Sequence, residues 1–120
     1  MVKKAKPPEF WTRERCFITE LLNNEEQPEV SIARARVEAG VTTELHALAV
    51  HEWYVIEAGQ GLMHVGDREP FAVGHGDTVT IPKHCAQKIS NIGEEDLVFL
   101  CVCVPRFLQE SYTSLEGSKV

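Results

Sequence analysis

The sequence predicts an all-β domain, either a sandwich or a barrel, and three observations support this fold class. Turn residues recur about every 8–12 positions along the middle of the chain. The segments between them are short and rich in β-branched and aromatic residues. No long segment has the spacing of apolar residues that an amphipathic helix requires. The 120 residues are enough for a single domain.

The individual elements follow from these patterns in chain order. Residues 1–9 are rich in Lys and Pro and predict a loose arm. A first strand is expected to run to about Leu22 and to end in a polar turn around Pro28. A short helical turn and a fraying tail are expected over 109–120, so the folded domain is expected to span 10–108. The remaining predicted strands, each closed by Gly, Pro or Asn, are 30–38, 53–57, 62–65, 71–73, 77–81, 87–89 and 97–104.

The charge balance excludes some classes of partner. The chain has 18 acidic and 12 basic residues and a formal net charge of −6, which argues against nucleic acid or an anionic membrane surface. It has no run of about 18 apolar residues that could span a bilayer. The basic N-terminus is not followed by the apolar stretch of a signal peptide. We therefore expect a cytoplasmic protein whose partner is a small molecule.

The cysteines fit a reducing compartment. Cys16, Cys85, Cys101 and Cys103 lack the C-x2-C spacing of a structural zinc site. Cys101 and Cys103 share one face of a predicted strand, and neighbours of that kind rarely meet disulfide geometry. We expect reduced, mostly buried thiols, with a redox or ligand role as the alternative.

Two segments of the chain resemble the two motifs of the cupin superfamily, whose members are small double-stranded β-helix barrels. The first family pattern is G-x5-H-x-H-x3-E-x6-G, and the second is G-x5-P-x-G-x2-H-x3-N. The resemblance covers residues 40–91 and implies a cupin barrel. The chain is similar in particular to small stand-alone cupins, a group that has no single agreed reaction. Seven positions match: Gly40, His46, Glu52, Gly59, Gly76, Pro82 and Asn91.

The departures from the two motifs bear on the site. In metal-binding cupins, two histidines and a glutamate of the first motif and a histidine of the second hold one divalent metal. Here Leu48 replaces the second histidine, Gln87 replaces the second-motif histidine, and His84 replaces a glycine. The resemblance therefore implies a weakened site for Mn, Fe, Ni or Zn at His46, Glu52 and Gln87. The alternative is that these three form a hydrogen-bonded cluster without metal.

Strand alternation predicts which side chains face the barrel lumen. If His46 faces inward, Leu48 does too, and a turn over 49–51 resets the chain before Glu52. Tyr54 and Ile56 would then line the same wall as Glu52. On that parity His51 points away from the site, and only a bulge would make it a substitute ligand.

Two further strands leave the direction of their side chains open. Arg34 and Arg36 would favour an anionic substrate if they faced the lumen. The alternation of Ala and Arg over 33–37 favours the opposite, with both arginines solvated or paired with acidic residues. On the last strand, either the odd-numbered or the even-numbered residues of 98–103 face inward. In both cases the cavity would be mostly apolar, as small-molecule pockets usually are.

These residues support three functional hypotheses. In the first, the protein is a metal-assisted enzyme that acts on a small polar metabolite. His46, Glu52 and Gln87 hold a metal that polarises a water, and Glu52 and Tyr54 act on the substrate. In the second, the degenerate site binds or senses a small ligand without turnover. In the third, the site resembles that of sugar-phosphate isomerase cupins and works without metal, through Glu52 and His46. The third requires burial to raise the pKa of Glu52.

The resemblance also implies an assembly. Small cupins commonly form homodimers through a sheet face and exchange N-terminal strands. The apolar residues Phe10, Trp11, Phe17 and Ile18 could supply such a contact.

Overall fold

The protein folds into two antiparallel sheets, in a computed structural model that describes residues 7–116. Apart from one 3-10 turn over Gln109–Ser111, every regular element of these residues is a strand, which confirms the all-β prediction. No helix within 7–116 is long and apolar enough to cross a membrane. The strands are β1 (Glu9–Trp11), β2 (Phe17–Leu22), β3 (Ser31–Val37), β4 (His46–Leu48), β5 (His51–Ala58), β6 (Gln60–Val65), β7 (Phe71–Gly74), β8 (Thr78–Ile81), β9 (Gln87–Asn91), β10 (Leu97–Val104) and β11 (Tyr112–Ser114).

The order of strands in the two sheets is that of a double-stranded β-helix. One sheet has the order β1-β2-β3-β10-β5-β8, and the other has the order β11-β4-β9-β6-β7. Most strands from β3 onwards are followed by a strand of the other sheet, as β5 is followed by β6, and the exception is the pair β6 and β7. Because the chain passes repeatedly between the sheets, residues that are distant in sequence face each other across the interior.

The core lies between the sheets and is built from alternating positions along each strand. On β5 the side chains of Glu52, Tyr54 and Ile56 are buried, while the residues between them are only partly covered. Burial of the large apolar members supplies the main driving force for closing the two sheets. The largest side chains with almost no exposure are Phe99, Ile56, Met63, Ile81, Ile89, Leu97, Gln87 and Val37.

The motif glycine at 59 is required by its backbone. Gly59 connects β5 to β6 with φ of +87°. A Cβ atom at this position would lie 2.6 Å from the carbonyl oxygen of Asp96. Both facts exclude other residues, because L-residues rarely adopt this φ and the contact is with backbone that cannot move aside.

The predicted strands agree with the observed ones to within about two residues, but three short strands were missed. β1, β4 and β11 each contain three residues, too few to show an alternating pattern. β1 begins at the last residue of the predicted arm, Glu9, and otherwise lies in the predicted folded domain, whereas β11 lies within the predicted tail, where it pairs with β4. The outer parts of that arm and tail, 1–6 and 117–120, lie outside the described residues.

The outward position of the two arginines on β3 is confirmed. Arg34 pairs with Glu57 at 2.9 Å, and Arg36 pairs with Glu9 at 2.8 Å and with Asp96 at 3.1 Å. These pairs are partly exposed and contribute little to stability. They hold the guanidinium groups on the outer face of the sheet, outside the lumen.

The aromatic residues of β1 lie at the edge of the larger sheet. Phe10 is 47% exposed and Trp11 is 54% exposed. Phe17 and Ile18 on β2 are half-buried, and Phe17 packs against Trp11. The homodimer contact at these residues stays a prediction.

Candidate functional site

A cavity of about 210 Å³ opens between the two sheets. Residues of β2, β3, β4, β5 and β10 line it, together with the turn between β1 and β2 and the segment around β11. An apolar cavity of about 150 Å³ is large enough for benzene. The volume therefore fits a molecule somewhat larger than benzene, and the mostly apolar wall agrees with the prediction for a small-molecule pocket.

A chain of hydrogen bonds joins the two sheets at the inner end of the cavity. Gln87, at the start of β9, donates from Nε2 to Oε1 of Glu52 on β5 at 3.0 Å. Its Oε1 accepts from the Tyr54 hydroxyl at 2.9 Å. Cys103 on β10 donates its thiol to Oε2 of Glu52 at 3.7 Å. Both functional groups of the Gln87 amide are thus used inside the protein.

Burial controls the protonation of Glu52. Desolvation raises the pKa of its carboxyl from 4.5 to about 7, and the Gln87 hydrogen bond partly offsets this. The negative charge of Glu14 raises the pKa further. Near neutral pH the Glu52 side chain is therefore populated in both protonation states. This is the condition that the acid–base hypothesis required.

His46 is oriented from behind by the backbone. Its Nδ1 lies 2.8 Å from the carbonyl oxygen of Glu44, which only accepts, so Nδ1 carries the proton and Nε2 keeps its lone pair. Burial lowers the pKa of the imidazole, which favours the neutral form. The ring is 3% exposed and belongs to the cavity wall. The site thus presents a neutral imidazole with a free acceptor nitrogen.

The segment around β11 completes this arrangement. The Tyr112 ring stacks on His46 with ring centroids 4.7 Å apart, and its hydroxyl hydrogen-bonds to the Glu44 carboxylate. Tyr112 therefore contacts the imidazole and also the residue whose carbonyl sets the tautomer. Sequence reasoning missed this residue, because it lies in the expected tail, and only its aromatic character signalled a packed position.

Glu14 is a second residue that the sequence did not indicate. It lies in the turn between β1 and β2, and its side chain lines the cavity. Burial, followed by the charge of Glu44, raises the pKa of its carboxyl to about 7. A Glu in a charged segment next to an aromatic pair has no local feature that distinguishes it from a surface residue.

The predicted metal ligands gather at one place, where both groups of the Gln87 amide have hydrogen-bond partners within the protein. His46 and Glu52 line one cavity, and Gln87 contacts Glu52. Leu48 is buried where a histidine would be needed, and the Gln87 oxygen accepts from Tyr54. Residues 7–116 contain no group of three or more His, Cys, Asp or Glu side chains that could hold a metal ion. Metal binding stays a prediction, and no chemical step below uses it.

The other sequence candidates lie apart from the cavity. His51 is exposed at the start of β5, as its parity predicted. His84 is exposed in the loop before β9, with φ of 70°.

On β10 the odd-numbered residues face inward, so that Phe99, Cys101 and Cys103 belong to the cavity wall. All four cysteines are free, in agreement with the expected reduced state.

The predicted catalytic residue Tyr54 faces the lumen on the same wall as Glu52, as strand alternation predicted, and its hydroxyl contacts Gln87. Its ring is buried against Phe99, with centroids 4.3 Å apart. Its hydroxyl proton is donated to Gln87, and burial keeps the pKa of the phenol well above its usual value. The hydrogen bond to substrate proposed for Tyr54 stays a prediction, and the observed role is to hold the Gln87 amide.

Replacing Gln87 by leucine is expected to lower the free energy of unfolding by about 2–4 kcal/mol, because Glu52 and Tyr54 would each lose a buried hydrogen-bond partner. Urea denaturation at neutral pH measures this loss. The matched control is Gln60→Leu on β6, at an exposed position, which we expect to change stability by less than about 0.5 kcal/mol. A similarly small effect of Gln87→Leu would contradict the network described here.

The fold and the site together define a small barrel protein of the cupin class, with a polar cluster at the inner end of its cavity. The model of the cupin domain family matches residues 33–103, and the chain belongs to that family. The chain is also 38% identical over 117 residues to the uncharacterized protein MJ1618 of Methanocaldococcus jannaschii. That match covers 94% of this chain and 90% of the relative.

Solved structures with this fold include proteins of different activities. Oxalate decarboxylase from Bacillus subtilis is similar with a TM-score of 0.78 and 20% identity, over 95% of this chain and 33% of the enzyme. The Streptomyces protein PAC13, a nucleoside dehydratase solved with uridine, is similar with a TM-score of 0.76 and 17% identity, over 96% of this chain and 92% of PAC13. A Klebsiella pneumoniae protein with a double-stranded β-helix domain has a TM-score of 0.74 and 14% identity, over 88% of this chain and 89% of that protein. Identities this low show the fold alone.

Proposed function

We propose that this cupin binds a small polar molecule in the cavity and acts on it by acid–base chemistry, with Glu52 and His46 as the proton-exchanging pair. One observation carries the proposal. Glu52 and His46 come from different sheets, line one cavity, and are each oriented by a hydrogen bond to a neighbouring residue. A group held in this way meets a substrate without first having to be ordered.

His46 is suited to the role of the base. Its proton on Nδ1 is donated to the Glu44 carbonyl, so Nε2 is the atom that can take a proton from a bound molecule. Stacking on Tyr112 restrains the ring in the plane that this hydrogen bond requires. The lowered pKa keeps the imidazole neutral at physiological pH.

Glu52 is suited to the role of the acid. Its pKa of about 7 leaves a large fraction of the carboxyl groups protonated at neutral pH. With Nε2 of His46 removing a proton from a carbon next to a carbonyl, Glu52 would deliver its proton to the carbonyl oxygen to form an enol, or an enediol where that carbon carries a hydroxyl. If the proton on His46 exchanges with solvent before it returns to the same carbon, the result is hydrogen exchange. If His46 instead protonates the former carbonyl carbon of an enediol while Glu52 takes back the proton of the other hydroxyl, the result is an isomerisation.

The cavity wall does not suit the anionic substrates of similar proteins. Among residues 7–116, the side chains that line the cavity include no Lys or Arg. A phosphate or a dicarboxylate such as oxalate would therefore lack a counter-charge. The proposed substrate therefore undergoes the acid–base chemistry of the isomerase hypothesis but carries no phosphate group.

Deuterium exchange tests the proposal without a known substrate. The protein is incubated in D2O with dihydroxyacetone, glyceraldehyde, hydroxyacetone and aminoacetone, and proton NMR follows deuterium entering the carbon next to the carbonyl. Enzyme-dependent exchange is expected for at least one compound. Glu52→Gln and His46→Gln are each expected to slow it by about 100–10,000-fold, the usual contribution of a general acid or base.

The control and the contradicting results are well defined. His51→Gln changes an exposed histidine outside the cavity and should leave the exchange rate unchanged. Exchange that is absent in the wild type for all four compounds would overturn the proposal. Exchange that survives both cavity variants would do the same. Binding without exchange would support the hypothesis of a non-catalytic binding module.

A further inference from the structure

Two polar groups of the cavity wall without a hydrogen-bond partner among residues 7–116, the Glu14 carboxylate and Nε2 of His46, are acceptors, and this bears on the charge of the ligand. We propose that the cavity takes a small organic cation, a protonated amine, whose charge is bound by the Glu14 carboxylate and one of whose N–H groups is accepted by His46. The inference rests on the proposed function in one respect, because it assigns a ligand class to the same cavity.

Glu14 is a carboxylate without a partner. The turn that carries it is closed by hydrogen bonds from Thr12 N to Cys16 O at 2.9 Å and from Arg15 N to Thr12 O at 3.0 Å. The backbone oxygen of Glu14 accepts from Glu44 N at 3.0 Å. These bonds hold the side chain against the cavity, where its carboxylate makes no hydrogen bond or ion pair with any residue of 7–116.

Neither of the two arginines that flank Glu14 in sequence forms an ion pair with its carboxylate. The guanidinium of Arg15 forms a two-pronged pair with the Glu116 carboxylate, with its shorter contact at 2.6 Å. Its Nε donates to the Thr42 carbonyl at 2.8 Å. Arg13 is exposed and lines an adjoining pocket together with Glu14, and its charge lowers the pKa of the Glu14 carboxyl. No Lys or Arg among residues 7–116 lines the cavity itself, so a cationic ligand would supply the counter-charge there.

His46 supplies an independent observation. Its imidazole is buried, with 3% of the residue exposed, and its Nε2 makes no hydrogen bond with the described residues. This atom is an acceptor in the tautomer that the Glu44 carbonyl selects. The strongest donor nearby, the Tyr54 hydroxyl, is already used by Gln87. An ammonium group has three donors and no acceptor, which complements this set.

The charge and the shape of the cavity agree with such a ligand. Glu14 raises the pKa of Glu52, so the two carboxylates share one repulsive field that a cation would relieve. The rings of Tyr54, Phe99 and Tyr112 contribute to the wall and suit the apolar body of an amine. At about 210 Å³ the cavity accepts a molecule such as benzylamine.

Three compounds of nearly equal shape test the charge preference. Isothermal titration at neutral pH compares benzylamine, benzyl alcohol and benzoate, which differ in net charge. Benzylamine is expected to bind at least about tenfold more tightly than benzyl alcohol, since charge-assisted hydrogen bonds are about twice as strong as neutral ones, and benzoate is expected not to bind. Glu14→Gln should reduce benzylamine affinity about tenfold and leave benzyl alcohol unchanged.

Two further variants keep the test decisive. Glu69→Gln, in the exposed turn between β6 and β7, is the matched control and should bind all three compounds as the wild type does. Glu14→Lys should reverse the preference towards benzoate. Equal affinity for amine and alcohol, an amine preference that survives Glu14→Gln, or no binding of any compound would each overturn the inference. None of these results would contradict the proposed acid–base function, which deuterium exchange tests separately. Conversely, an absence of deuterium exchange would not contradict selective binding of amines.

Discussion

Between pH 4.5 and pH 8 the free energy of unfolding is expected to fall by about 3 kcal/mol through the titration of Glu52 alone. The folded pKa of about 7 lies above the ordinary value of 4.5, so the folded state binds more protons than the unfolded state between these values. The contribution of Glu52 to stability is therefore largest below pH 4.5, declines through the interval, and is lost above pH 7. Glu14 is shifted in the same direction and adds to the decline.

The Glu52→Gln variant isolates this effect. A neutral amide cannot ionise, so the variant should match the wild type near pH 4.5 and be more stable by about 3 kcal/mol at pH 8. Urea denaturation followed by tryptophan fluorescence at several pH values measures both curves. Glu69→Gln, at an exposed turn position, should follow the wild-type curve. A wild-type stability that rises over this interval would show that Glu52 is not desolvated in the folded protein.

Restoring the two missing histidines is expected to convert the polar cluster into a metal site. Leu48 and Gln87 occupy the positions where the cupin motifs place histidine, and both side chains are buried next to His46 and Glu52. Loss of an outer-shell partner of a metal ligand already costs about 10–100-fold in affinity, so Leu48→His with Gln87→His should raise affinity by at least about a hundredfold. Titration with Zn²⁺, Ni²⁺ and Mn²⁺, followed by metal analysis after dialysis, measures the change.

Two comparisons make this result interpretable. Adding Glu52→Gln to the double variant removes the carboxylate ligand and should lower the affinity again. A variant with Gln27→His and Leu115→His adds the same number of imidazoles at exposed positions and should bind no more tightly than the wild type. If the unmodified protein binds these metals as tightly as the double variant does, the predicted three-residue metal site is supported and the metal-free interpretation fails.

The amino-acid sequence by itself determined the barrel and the direction of its main side chains. Turn residues divide the chain into strands, and alternation along β5 places Glu52 and Tyr54 inside and His51 outside. The same rule places Arg34 on the outer face of the sheet, where it forms an ion pair with Glu57. These features are local, because the face on which a residue lies depends only on its neighbours along one strand. The φ of Gly59 is likewise a property of one turn, whereas the approach of Asp96 to it is a tertiary contact.

Only the tertiary structure decided what the inward-facing groups do. From the sequence, Gln87 is a possible metal ligand through its amide oxygen. In the folded protein, that oxygen accepts from the Tyr54 hydroxyl, and the amide nitrogen donates to Glu52. Glu14 and Tyr112 lie near opposite ends of the chain and reach the cavity through long-range pairing with the segment around His46. Hydrogen-bond partners and desolvation depend on which atoms meet in space, so no period or spacing in the sequence encodes them.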